Sequence, residues 1–361
     1  MKIIPLNLKK RSYKIVVGAG VIKRLSKFSA RLNIGRDGYV VTNSFLKNKY
    51  GKLLSSVLKN AGYSVRFKSV ADSEKSKSIA VASAVIKDLS TYDLKKRLVL
   101  FAFGGGVIGD LCGFVASVYK RGVPYVQVPT TLLAQVDSAI GGKTAVDLIQ
   151  GKNLIGSYYQ PRLVLSDINF LKTLNLRQIQ SGLSEVIKYA VIKDAVLFNY
   201  LEKNYADILD LKPGALEFIV SRCSKIKAEI VGQDEKEEKG VRTILNFGHT
   251  IGHAIEAAAG YRGYNHGEAV AIGMLVASDI SVKSGLLDAR ILVGIENLIK
   301  KIGLPVKITK LTPESIIKAH YRDKKFIADK NRLVLITNIG KAKVVSGVPL
   351  EAIKEALMLR F

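Results

Sequence analysis

The chain has 361 residues, 48% of them hydrophobic, and carries 56 Lys and Arg against 30 Asp and Glu for a formal charge of +26. That length allows two domains and that apolar content supports a large core, which excludes a disordered chain. No apolar run is long enough for a spanning helix, and two cysteines, Cys112 and Cys223, exclude a disulfide scaffold.

Half of the excess charge lies in the first sixty residues, mostly as single Lys and Arg without helix-turn-helix, RNP or zinc-finger spacing. It reads as surface chemistry able to steer an anionic small molecule, and a nucleic-acid partner is not expected. The stretch from Met1 to Leu8 is broken by polar residues and lacks a secretory apolar region, so the expected location is the cytoplasm, with no membrane partner.

In chain order, Tyr39–Thr42, Tyr63–Phe67, Leu98–Phe103, Tyr125–Val128 and Leu163–Leu165 read as strands, with amphipathic helices over Phe45–Ala61 and Lys77–Ser90. Strands alternating with helices of that length predict parallel βαβ units. Beyond about residue 170 the apolar period is helical, over Gln178–Tyr189, Asp194–Leu209, Gly214–Val231, Ile244–Ala259, Glu268–Ser284 and Asp288–Ile302. A β-like tail, Leu333–Thr337 and Ala342–Val345, precedes a helix from Pro349. The expected fold is α/β: a Rossmann-like N-terminal domain with a parallel sheet, residues 1–172, then a mainly α-helical C-terminal domain, residues 173–361, with ligands in the cleft between them.

The strand ending at Phe103 runs into Gly104-Gly-Gly106-Val-Ile-Gly109-Asp110, a glycine-rich turn before a helix of the kind that admits a pyrophosphate, although the acidic residue expected about twenty positions on is missing. Arg121, then Lys143 after two glycines and Lys152 after Gly151, supply cations for anionic groups. Glu185 and Lys188 share a helix face, and taken alone they read as a solvent-exposed ion pair. Lys225, Lys227 and the run from Asp234 to Arg242 read as a charged helix end and loop.

Three of the four histidines, His249, His253 and His266, fall within eighteen residues. Imidazole is the commonest zinc ligand and the commonest acid–base group near neutral pH. By spacing alone His249 and His253 share a helix face as metal ligands, with His266 and Glu185 completing the set, while His320 reads as structural or surface.

With these residues assembled, the chain resembles the 3-dehydroquinate synthase family of sugar-phosphate cyclases. The matching blocks are GGGVIGD (104–110), RGVPYVQVPTTLLAQVDSAIGGKT (121–144), GKNLIG (151–156), FLKTL (170–174), GLSEVIKYAVIKD (182–194), RTILNFGHTIGHAIE (242–256), NHGEAVAIGM (265–274) and DKK (323–325). The resemblance implies a dehydroquinate synthase-like fold and a homodimer. It implies NAD on Asp72, Glu74, Lys77, Gly105, Gly106, Val107, Ile108, Gly109, Asp110, Thr130, Thr131, Asp137, Lys143, Lys152, Phe170, Leu171, Lys172 and Thr173. Zinc, with cobalt as the alternative, is implied on Glu185, His249 and His266, which moves His253 from ligand to proton transfer at the substrate phosphate. The remaining substrate contacts implied are Arg121, reaching a neighbouring subunit's site, with Lys143, Asn153, Lys188, Lys227, Arg242, Asn246 and the pair Lys324 and Lys325.

The implied reaction converts 3-deoxy-arabino-heptulosonate 7-phosphate to 3-dehydroquinate and phosphate, a step of the shikimate pathway. It proceeds by NAD-dependent oxidation, phosphate β-elimination, reduction and intramolecular aldol cyclisation. The alternatives are a metal-dependent polyol dehydrogenase and a cyclase acting on another sugar phosphate. Two features depart from the family pattern. Asn43 stands where an Asp usually grips the adenosine ribose, and the loop before Arg242 is one residue longer, leaving Glu237 and Glu238 as alternatives for its acidic position.

Overall fold

The computed structural model describes every residue except 31, 33, 94–96, 149 and 322–330. It divides into two compact units, Met1–Leu174 with Pro213–Lys236, and Asn175–Lys212 with Glu237–Phe361.

The first unit is built on strands β1 (Lys2–Leu6), β2 (Tyr13–Gly18), β3 (Asp37–Asn43), β4 (Ser64–Val70), β5 (Leu98–Gly104), β6 (Tyr125–Pro129), β7 (Lys143–Leu148), β8 (Gly151–Tyr158) and β9 (Leu163–Asp167). Its main sheet runs β1-β2-β9-β6-β5-β3-β4. All neighbours are parallel except β1 against β2. Helices α1 (Leu25–Ser29), α2 (Ser44–Asn60), α3 (Ile79–Tyr92) and α4 (Gly106–Val118) connect the strands.

Both faces of the sheet are covered, which is why β5 reads as an unbroken apolar run. Val99, Phe101 and Phe103 pack with α2 residues Leu46, Leu54 and Leu58, while Leu98, Leu100 and Ala102 pack with Val85 of α3 and Leu111 of α4. The order of the sheet reverses between β3 and β5, so the ligand crevice of such a fold opens where these two strands end, at Asn43 and Gly104.

Three features here were not predicted. Strands β1 and β2 are interrupted in sequence by Pro5 and Lys14, yet Ile15, Val16 and Val17 are wholly buried. The β7–β8 hairpin is glycine-rich and half exposed, so it lacks an apolar signal. Helix α7 (Pro213–Gln233) follows the start of the helical half of the sequence but packs against β1 and β2. Lys227 accordingly sits buried in the middle of α7 and not at a charged helix end, because the helix runs on to Gln233.

The second unit comprises α5 (Leu176–Lys193), α6 (Ala195–Leu209), α8 (His249–Ala258), α9 (His266–Lys283), α10 (Ala289–Ile302), α11 (Pro313–Tyr321), the antiparallel pair β10 (Arg332–Asn338) and β11 (Lys341–Ser346), and α12 (Leu350–Met358). Helix α9 is buried on every side from Ala269 to Ser281 because α5, α8, α10, α12 and β10 surround it. The single helix expected over 244–259 is instead a 3₁₀ turn, Val241–Asn246, followed by α8, since Gly248 takes the left-handed conformation (φ 76°) between them. His320 lies on α11 at 3% exposure, which makes it an interior residue and rules out the surface. Among the described residues no helix is long and apolar enough to cross a membrane.

Candidate active site

In the first unit Asn43, Gly105 to Asp110, and Thr130 with Thr131 lie at or just beyond the C-terminal ends of β3, β5 and β6. Asp72, Glu74 and Lys77 follow β4, Lys143 and Lys152 lie on β7 and β8, and Phe170 to Thr173 follow β9. Gly105 caps α4 without a side-chain acceptor, so the first N–H groups of that helix face the crevice. Thr130 N–H donates to the Gly104 carbonyl at 2.9 Å, tying the two loops together, and Thr131 Oγ1 accepts from Ala134 N–H at 3.2 Å. Asn43 is buried, and its Oδ1 accepts from Leu46 N–H at 2.8 Å as the N-cap of α2.

Lys77 is the hub of this region. Its Nζ lies 2.5 Å from Asp110 Oδ2 and 2.5 Å from Asn153 Oδ1. Burial works against the ammonium, but the carboxylates of Asp110, Glu74 and Asp147 together outweigh it and leave the Lys77 pKa above the ordinary lysine range. Asn153 has φ 58° and donates its N–H to Asp147 at 2.7 Å, so β8 is held to the same hub. Lys227 reaches from α7 to both the backbone oxygen (2.8 Å) and Oδ1 (2.7 Å) of Asp137.

Asp72 and Glu74 are exposed, with Lys152 Nζ 3.7 Å from Glu74, and Lys143 is exposed on the first residue of β7. The side chains of Phe170 and Leu171 point into the interior, Phe170 against Tyr50 and Phe103, which leaves Lys172 and Thr173 as the accessible part of that turn. Arg121 ends an exposed turn in which Lys120 (φ 48°) and Arg121 (φ 61°) are both left-handed.

In the second unit, Glu185 of α5, His249 of α8 and His266 of α9 converge. His249 Nε2 is 3.5 Å and His266 Nε2 is 3.6 Å from Glu185 Oε1, and the three donor atoms lie within 4.8 Å of one another. Ligands about 2.0–2.2 Å from a tetrahedral zinc ion stand roughly 3.3–3.6 Å apart, so two imidazoles and a carboxylate in this arrangement fit such an ion. Lys188 forms an ion pair with Glu185 in which the side chains are 2% and 1% exposed. The expectation of a solvent-exposed pair is thus corrected: α5 turns this face inward, with every residue from Leu183 to Ile192 buried.

The electrostatics of the two imidazoles differ. Burial and the Lys188 ammonium hold His249 well below the usual histidine range, which keeps it neutral, the form that binds a cation. Burial also works against charge on His266, but the Glu185 and Glu256 carboxylates overcome it and raise its pKa to about 10. His253 is exposed one turn beyond His249, with the ring centroids 5.4 Å apart.

Two glycines allow the three helices to meet. A Cβ on Gly273 of α9 would stand 2.0 Å from the Gly248 oxygen, and one on Gly267 would stand 2.4 Å from Ser181 Cα of α5. The first turn of α9, which begins with His266, is fixed by a reciprocal cap between Asn265 and Glu268. Arg177 clamps that cap from α5, with Nε 2.6 Å and Nη2 2.8 Å from the Glu268 carboxylate. Arg242 is 2% exposed, with Nε 3.4 Å from Glu237 Oε1, so Glu237 is the acid facing it. Asn246 ends the same 3₁₀ turn. Lys324 and Lys325 lie outside the described residues.

Sequence reasoning overlooked Glu256, Arg177 and Glu268. Their signals were present, an N-x-x-E cap at Asn265 and a carboxylate seven positions after His249, but neither points to a site until the helices are packed.

Among solved structures, a 2-deoxy-scyllo-inosose synthase complexed with carbaglucose-6-phosphate, NAD+ and Co2+ is similar to this chain with a TM-score of 0.91 and 26% identity over 100% of both chains. A 2-epi-5-epi-valiolone synthase from Streptomyces hygroscopicus with NAD+ and Zn2+ bound reaches 0.88 and 30% identity over 98% of both. Fold and donor set thus define the class of sugar-phosphate cyclases.

Residues 67–181 match the 3-dehydroquinate synthase N-terminal family, and residues 182–326 match its C-terminal counterpart. The 3-dehydroquinate synthases of Desulforamulus reducens and Pelotomaculum thermopropionicum are 42% and 44% identical over 96% of this chain and 97% and 94% of theirs. The chain belongs to the 3-dehydroquinate synthase family.

Proposed function

We propose that the chain converts 3-deoxy-arabino-heptulosonate 7-phosphate into 3-dehydroquinate and phosphate, as a carbon–oxygen lyase that uses NAD without consuming it. The observation that carries this is the Glu185–His249–His266 cluster in a chain 42–44% identical to enzymes of that name. Zinc or cobalt held by those three residues would lower the pKa of a substrate hydroxyl, and NAD on the Gly104–Asp110 turn would take and return a hydride.

The chain's own groups bind, orient and move protons. Buried Arg242, with the planar fork that matches a carboxylate, is assigned to the substrate's carboxylate, as is Lys227. His253, exposed beyond His249, carries the proton at the phosphate, alongside Asn246. Asn153 and Lys143 also belong to the anion-holding set, as do Lys324 and Lys325. Lys188 fixes the charge and position of Glu185. The active form is proposed to be a homodimer to which Arg121, on its exposed turn, contributes across subunits.

The test is a reaction of purified protein with this substrate, NAD+ and Zn2+, in which phosphate is released with no net NADH. Steady NADH accumulation would instead identify a polyol dehydrogenase. Arg242→Ala is expected to lower kcat/KM roughly 100-fold, since a buried charge-assisted contact is worth about 3 kcal/mol. Unchanged turnover in that variant would assign the substrate to the cyclases that act on sugar phosphates lacking a carboxylate.

A further inference from the structure

We infer that Glu256 is a positioning residue for His266, an assignment that rests on the Glu185–His249–His266 reading above. Glu256 lies on α8, two turns beyond His249, and is 7% exposed. Its Oε2 is 3.5 Å from His266 Nδ1, while the opposite ring nitrogen, Nε2, faces Glu185 Oε1 at 3.6 Å.

His249 shows the same division of roles. Its Nδ1 is 3.1 Å from the Phe247 carbonyl oxygen and its Nε2 is 3.5 Å from Glu185. In each ring an acceptor holds the hydrogen on Nδ1, so Nε2 is the nitrogen that faces an ion, and at His266 an ion would have to displace the Nε2 proton. The two acceptors are not equivalent. For His249 it is a backbone carbonyl two residues away, set by the turn at Gly248. For His266, the first residue of α9, it is a carboxylate carried by a different helix. Glu256 therefore sets the ring angle of His266 from α8, and its charge makes that imidazole a stronger donor than a neutral acceptor would.

A second arrangement involves the same atoms, because His253, Glu256 and His266 also bring ligand atoms within 4.8 Å of one another. An ion there would make Glu256 a ligand and His266 a bridge between two ions. A bridging imidazole must give up both ring protons, and the buried Glu256 carboxylate opposes that by adding negative charge beside the ring. One ion, with Glu256 as its outer support, is the arrangement assigned.

Metal-free full-length protein titrated with Co2+, followed by visible absorption and by Zn2+ competition, tests the assignment. Wild type is expected to bind one ion per chain, and Glu185→Ala to lose it. Glu256→Ala is expected to weaken Zn2+ binding by about 10–100-fold and to shift the Co2+ bands. Glu256→Gln, whose amide oxygen still accepts from Nδ1–H, should recover most of the affinity. If Glu256→Ala does not fold, Glu256→Asp, which draws the carboxylate back from the ring, makes the same comparison. Wild type without Glu185-dependent binding would overturn the metal reading itself. Normal wild-type binding together with unaltered affinity and spectrum in the Ala or Asp variant would overturn the role of Glu256 alone. Two ions per chain would make Glu256 a ligand, and a Gln variant as weak as Ala would overturn positioning of the ring through its Nδ1 hydrogen bond in favour of a purely electrostatic effect.

Discussion

Asn43 illustrates how one side chain can serve structure and ligand together. Its Oδ1 caps α2 through Leu46 N–H, and it stands at the reversal point of the sheet, where folds of this kind hold a nucleotide. An Asp would cap α2 equally well, so Asn43→Asp should leave the melting temperature nearly unchanged. It would also place a carboxylate beside a ribose diol, and charge-assisted hydrogen bonds exceed neutral ones by about 1 kcal/mol. Calorimetry is expected to give roughly fivefold tighter NAD+ binding and weaker NADP+ binding. Equal affinities in the two proteins would remove Asn43 from the cofactor site. At this scale the sequence was legible in residue type but not in environment. Histidine clustering pointed to the site, but spacing made a ligand set of His249, His253, His266 and distant Glu185, and only the family resemblance took His253 out of it. Glu185 and Lys188 read as surface charges because an i,i+3 pair looks the same on an exposed helix as on an interior one.

Elements were legible where one period ran unbroken: β3 to β6, β9 and the long helices lie within a few residues of their expected positions. The failures have physical causes. β1 and β2 carry Pro5 and Lys14 inside short strands, the β7–β8 hairpin has few apolar residues, and Gly248 breaks a continuous helical pattern between Asn246 and His249. That break lets α8 press on α9, and the contact makes a paired prediction. Gly273→Ala would drive a Cβ to 2.0 Å from the Gly248 oxygen and 2.8 Å from the Gly252 nitrogen, both rigid backbone atoms. Overpacking of this kind costs about 1–3 kcal/mol. It would also displace His249 relative to His266, so Zn2+ affinity should fall together with the melting temperature. Gly294→Ala, in α10 with nothing within 4 Å of the new Cβ, should do the opposite, raising stability by about 0.5–1 kcal/mol through helix propensity and leaving Zn2+ affinity alone. If both variants melt alike, close helix approach is not what Gly273 provides.

For the whole molecule the governing quantity is the charge of +26, which makes every carboxylate a counterweight to self-repulsion. Arg360 shows where those counterweights act. It is 6% exposed, with Nε 2.7 Å from Asp279 and Nη1 2.7 Å from Glu296. Burial favours the neutral form of Glu296, but hydrogen bonds from Lys300 and Arg360 outweigh it and hold the carboxyl below its ordinary 4.5. Native Glu296 thus binds a proton less readily than the unfolded chain does. Its contribution to stability is complete above about pH 5 and is lost as pH falls through the native value. Protonation also adds positive charge to a chain that already has an excess, so the Glu296 contribution should fall as pH drops from about 5 to 3, and salt should restore part of the loss. Asp279 contributes in the opposite direction, because burial raises its carboxyl above its ordinary range. Melting curves across that range check the sign: Glu296→Gln should be less stable than wild type at pH 7 and converge with it at pH 3. Arg360→Ala, which leaves Asp279 buried beside no guanidinium, should cost about 3 kcal/mol at pH 7. Its deficit should also shrink in acid, where both carboxyls become neutral. A Glu296→Gln deficit that stayed constant from pH 7 to 3 would show that packing around Glu296, and not its charge, is what stabilises the fold there.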